Sequence, residues 1–93
     1  MSPDYHRTVM PESFSQADAE WIQDQLLRLS PSVRQKAVTR YADVYQLTKD
    51  EEPVSFRKEN RARHEANTRL RLFADRHGRA LQGYTVQPPS KGQ

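Results

Sequence analysis

Arginine dominates the chemistry this sequence can offer. Arg57, Lys58, Arg61, Arg63, Arg69, Arg71, Arg76 and Arg79 follow one another within a segment whose acids are only Glu59, Glu65 and Asp75. Guanidinium and ammonium groups in this density suit phosphate or carboxylate partners. On a helix, Arg57, Arg61, His64 and Arg71 share an outer face and Lys58, Arg69 and Arg76 share another, with Asn60, Asn67 and Thr68 available for polar contacts. A solvated face that balances acids elsewhere in the chain is the plainer reading of the same charges.

No other constellation points to a reaction. The three histidines, His6, His64 and His77, are not spaced i, i+4, and no cysteine supports them, so neither a metal nor a cofactor is expected. His77 suits the end of a helix and His6 an N-terminal arm. Asp50, Glu51 and Glu52 cluster at an expected helix end, where solvent should reach them. Glycine-rich phosphate loops and nucleophile elbows are missing, and Arg76, His77 and Tyr84 match a recombinase-type set only as chance would in an arginine-rich segment. The expectation is a protein that is not an enzyme.

The elements that position these residues follow from the punctuation. Gly and Pro are excluded from three stretches, and all three read as amphipathic helices. The first, 15–29, starts at Ser15 as N-cap with Asp18 completing a short capping box, and buries Ile22, Leu26 and Leu29, flanked by Trp21 and Ala17. A tight corner at 29–32 leads to the second, 31–49, with Ser30 as cap and Pro31 at the first helical position. Its stripe is Val33, Ala37, Tyr41 and Val44, with Tyr45 alongside and Leu47 closing it. A helix-turn-helix with Arg34, Lys36 and Arg40 in the reading helix is a weak fit, because the turn lacks glycine and the helix carries Asp43 and Asp50. The third, 55–77, places Phe56, Ala66, Leu70, Phe73, Ala74 and His77 on one side, with Glu59 and Arg63 spaced to pair and Gly78 ready for the left-handed C-cap conformation.

The fold class is therefore all-α, either a small three-helix bundle or a helical hairpin with an added helix. The domain spans 15–83, with flexible arms at 1–14 and 84–93 that hold four of the six prolines. The chain has 93 residues, and Leu, Ile, Val and Phe make up 17 of them, so the core is thin. A core of this size supplies about 3–5 kcal/mol, and disulfides cannot add to it because there is no cysteine. Net charge is +3, but residues 1–54 carry −3 and residues 55–93 carry +6. The first 14 residues have neither the apolar run nor the cleavage site of a secretory signal, and no stretch is apolar enough to cross a bilayer. A cytoplasmic protein is expected, with no membrane partner.

Leu72, Leu81, Tyr84, Val86 and the Tyr41/Tyr45 pair remain as apolar or aromatic surface that the expected core does not use. Together with the arginines they favour a protein-binding surface, formed by Arg57, Lys58, Arg61, His64, Arg69, Arg71, Leu72, Arg76 and Tyr84. Direct DNA or RNA binding by the basic helix is the alternative, and self-association into a structural module is a third.

The stretch Glu51-Glu52-Pro53-Val54-Ser55-Phe56-Arg57, followed by Asn60-Arg61-Ala62-Arg63 and Ala66-Asn67-Thr68-Arg69-Leu70-Arg71, resembles small early-region accessory proteins of lambdoid bacteriophages and prophages. The resemblance covers about residues 30–85 and contains no catalytic signature. It implies a protein of the bacterial host cytoplasm that contacts phage or host replication, recombination or defence machinery. It also draws attention to the Glu51-Glu52-Pro53 corner and to Asn67-Thr68-Arg69.

Overall fold

In a computed structural model of the chain, residues 8–86 are described, the last eight of them as backbone only. A 3-10 turn at Gln16–Asp18 leads into α1, Ala19–Leu27; α2 is Pro31–Glu51; a second 3-10 turn, Ser55–Arg57, leads into α3, Lys58–Val86. The fold is all-α, with no strand among the described residues.

Direction follows from which residues meet. Tyr41 reaches Asn67 and Lys58 reaches Lys49, so α2 and α3 run antiparallel. Asp18 pairs with Arg63 and Arg28 with Asp75, so α1 runs parallel to α3. Of the two expected topologies, the up-down-up three-helix bundle is the one formed.

Bulk in the core comes from α1 and the turn after it, and from Tyr41 and Tyr45 of α2. Ile22, Leu26 and Leu29 are the largest fully buried side chains. From α3 come mainly small residues in a four-residue repeat, Ala62, Ala66, Leu70, Ala74 and then Gly78, all buried. A row of that period forms one ridge along a helix, and alanines on it let two other helices approach closely. With nine residues, α1 is too short to hold as an isolated helix, so its helicity depends on this packing. Residues 10–14 of the expected N-terminal arm also lie on the bundle: Pro11 is buried, and Met10 and Phe14 pack against the core.

Several expectations are corrected. Gly78 does not end α3, and no glycine among the described residues has positive φ; the helix continues through Gly78 and Gly83 to Val86. Its role is close approach, since a Cβ there would meet Arg28 Nε at 3.3 Å and Nη2 at 3.4 Å. His77 is accordingly not at a helix end; its ring lies 4.2 Å from that of Phe73. Phe56 is 79% exposed and Leu47 59%. The helical wheel misplaced Phe56 because residues 55–57 turn about 120° per residue in a 3-10 turn rather than 100°. At the end of α2 the buried position is Thr48, one residue beyond Leu47. Tyr41 and Tyr45 are not spare surface: both are buried, with rings stacked 6.1 Å apart.

Gly78→Ala gives a prediction. Alanine in a helix interior is favoured over glycine by about 0.5–1 kcal/mol, and the contact it creates is with the far end of a half-exposed arginine side chain that can slide. Thermal unfolding should show a small rise in Tm; a fall would mean the Arg28 guanidinium is fixed between Asp75 and Gln25.

Candidate functional site: the basic-rimmed groove between α2 and α3

Most of the arginines singled out by sequence divide into those spent on holding the bundle and those left facing outward. Arg34 donates to the carbonyls of Leu26 (2.9 Å) and Leu29 (2.7 Å), closing the C-terminal end of α1. Lys58 Nζ donates to the carbonyls of Lys49 (3.0 Å) and Glu52 (2.6 Å), doing the same for α2. The Lys58 ammonium is thereby engaged within the bundle, and it offsets the acids at the C-terminus of α2. Arg61 pairs at 3.1 Å with Glu52, which is buried and also accepts from the Val54 amide. Glu52 is therefore not the solvated acid expected at this corner.

Arg63 does not pair with Glu59 but with Asp18, donating from Nε at 2.8 Å and Nη2 at 2.9 Å. Asn67 donates to the same carboxylate at 3.0 Å and accepts a short hydrogen bond from the Tyr41 hydroxyl. One polar chain thus ties α2, α3 and the start of α1. Arg63 holds the Asp18 carboxyl below its ordinary value of 3.8, against the opposing effect of burial and with help from Asn67. Burial foremost, then the Asp18 charge, pushes the Tyr41 hydroxyl above the ordinary tyrosine range. Neither Ser15, Asp18 nor Ser30 makes the side-chain cap expected of it. Asp18 is taken by a tertiary partner 45 residues away, which a local capping pattern does not reveal.

What remains outward is arranged around a groove of about 1160 Å³ between α2 and α3. Its floor is Ala37, Tyr41, Ala66 and Leu70, with Val44 and Phe73 on the walls. Leu72 lines it while 54% exposed. Lys36 and Arg40 from α2 and Arg69 and Arg76 from α3 form the rim, with Asp43 as its acid. Arg69 is balanced by Glu65 four residues earlier, at 2.8 Å. A smaller hollow of about 380 Å³ continues the groove toward Leu47, Glu51 and Arg61.

Of the sequence-derived set, the groove brings together Arg69, Leu72 and Arg76. His64 and Arg71 are exposed elsewhere on α3, and Arg57 is exposed in the 3-10 turn before it, 5.8 Å from the Phe56 ring centre. Arg61 touches only the smaller hollow, and the side chains of Leu81, Tyr84 and Val86 fall outside the described residues. Among the other lining residues, Val44 is expected from sequence only in the core, and Lys36 and Arg40 only in the reading helix of a weakly fitting helix-turn-helix. Their signal was present in the i, i+4 pair Lys36/Arg40 beside Val44, but it becomes legible only once α3 is known to lie across from them.

No group of His, Cys, Asp or Glu among the described residues is placed to hold a metal ion, and no described helix is long and apolar enough to cross a membrane. No family model matches the chain, and no curated protein or solved structure does.

Proposed function

We propose that this chain is a non-enzymatic accessory protein that binds, and inhibits or redirects, a protein partner through the α2–α3 groove. The observation that carries the reading is the pairing of exposed Leu72 and half-buried Val44 and Phe73, above a floor of core residues, with a rim of cations that no bundle contact consumes on Lys36, Arg40 and Arg76. Exposed apolar area rimmed by charge suits a macromolecular partner better than a small substrate. The resemblance of residues 51–71 to lambdoid early-region proteins points to a partner in phage or host replication, recombination or defence, in the bacterial cytoplasm.

Direct nucleic-acid binding is supported by one feature, the exposed outer set Arg57, His64 and Arg71, beside Arg61, which pairs with Glu52. Its affinity would fall with salt by roughly 0.9 log units per log unit for each phosphate contacted on duplex DNA.

Affinity capture from bacterial lysate, with and without nuclease, separates the two. The groove reading expects a defined protein retained after nuclease and lost with Leu72→Asp, a substitution at a half-exposed position that leaves the helical circular-dichroism signal intact. Retention by Leu72→Asp equal to wild type overturns it, as does loss of all captured material on nuclease treatment.

A further inference from the structure

We infer that the occupant of the α2–α3 groove is an acidic amphipathic helix from another protein. This rests on the groove being a protein-docking surface and adds the chemistry of what docks.

Shape comes first. On α3 the residues that meet α1 or the turn before it are Arg63, Asn67, Asp75 and Gly78. Those lining the groove are Ala66, Arg69, Leu70, Leu72, Phe73 and Arg76. At about 100° per residue, the two sets centre on different sides of the helix, roughly 155° apart. The α2–α3 pair therefore has two troughs, one on each face. One is filled by α1, which inserts Ile22 and Leu26, and by Leu29 of the turn that follows it. The other is the groove, whose floor is lowered by Ala37 and Ala66. A trough between antiparallel helices is shaped for a helix, and from Ser32 to Val44 it runs roughly 18 Å, the length of a helix of about 12 residues.

Charge then selects which helix. Cations stand on both banks, Lys36 and Arg40 on α2 and Arg76 on α3, while Asp43 is the acid on the rim. A helix with one apolar stripe and Asp or Glu on both flanks would meet Leu72 and the floor with the stripe and the two banks with its carboxylates. Basic helices would face like charge there. A phosphate backbone would leave Leu72, Val44 and Phe73 without apolar contact, so nucleic acid fits this groove less well than it fits the outer face of α3.

The test is a selection from a display library of randomised, helix-biased 14-residue peptides on the full-length chain, with counter-selection on Leu72→Asp. Expected are groove-dependent binders with net negative charge and apolar residues at i, i+4 and i+7. Synthetic versions should lose at least tenfold in affinity to Lys36→Glu and Arg76→Glu, measured by fluorescence anisotropy. A peptide with its acids changed to lysine should regain binding to those variants. Groove-dependent binders that are neutral or basic would overturn the acidic assignment while leaving the docking surface in place. An absence of groove-dependent binders would overturn both. A protein mass that rises with concentration and falls back to monomer in Leu72→Asp would overturn this occupant in favour of a second copy of the chain. A duplex oligonucleotide that displaces the selected peptides would overturn it in favour of nucleic acid.

Discussion

Leu26→Ala should remove most of the folding stability and bring the chain close to its unfolding midpoint at 25 °C without denaturant. Leu26 is fully buried in the middle of α1, and truncation of such a leucine costs about 2–5 kcal/mol through lost apolar transfer and the cavity left behind. A domain of this size holds only about 3–5 kcal/mol in total. The opposing face cannot collapse to fill the gap, because Ala62, Ala66 and Ala74 have no rotamers with which to reach it. The same substitution at Leu27, 39% exposed one residue along, should change stability by less than about 0.5 kcal/mol. Circular dichroism with urea titration measures both; a folded Leu26→Ala protein with an unchanged midpoint would show that α1 is dispensable to the bundle.

Asp18→Asn is the second large effect, and its size depends on pH. The Asp18 side chain is 14% exposed and accepts three hydrogen bonds, two of them from one guanidinium. Loss of a charged acceptor in that position costs about 1–3 kcal/mol. Arg63 lowers the folded-state pKa beneath the ordinary 3.8, so the carboxylate is favoured by folding. Its contribution is fully present above the unfolded value and disappears as pH falls through the lower folded value. The stability gap between wild type and Asp18→Asn should be widest near pH 6–7 and close below about pH 4. A gap that persists unchanged to pH 2 would mean the bond geometry, not the charge, stabilises the junction. Tyr41→Phe, which removes only the hydroxyl that donates to Asn67, should show a smaller loss with no acid dependence.

The helices themselves were legible because their signals are local. Pro31 after Ser30 and the exclusion of Gly and Pro from the three stretches place the second helix within two residues of where it lies, whereas the Ile22/Leu26/Leu29 stripe places the first helix but not its start, because residues 16–18 form a 3-10 turn and α1 begins at Ala19, four residues after Ser15. The third was cut short at Gly78 because a glycine after a basic turn looks the same whether it ends a helix or lets another helix pass close by. Only the position of Arg28 decides between them. The expected site mixed two populations of cation for a related reason. Lys58 and Arg61 carry the same charge as Arg69 and Arg76, but their partners, the Lys49 and Glu52 carbonyls and the Glu52 carboxylate, are assigned by the turn between α2 and α3. Leu72 was found from sequence because it opposes the core stripe of its own helix. Lys36 and Arg40 were weighed only as DNA-reading residues, since their neighbours across the groove lie about 30 or more positions away in the chain.

The groove can be probed where it stands. A photo-crosslinking amino acid placed at position 72, inside the groove, and separately at position 27, on exposed α1, reports which face meets the partner in nuclease-treated lysate. The account predicts a discrete protein adduct from position 72 and none from position 27. Adducts from position 27 alone, or from neither position while the protein still captures its partner, would contradict it.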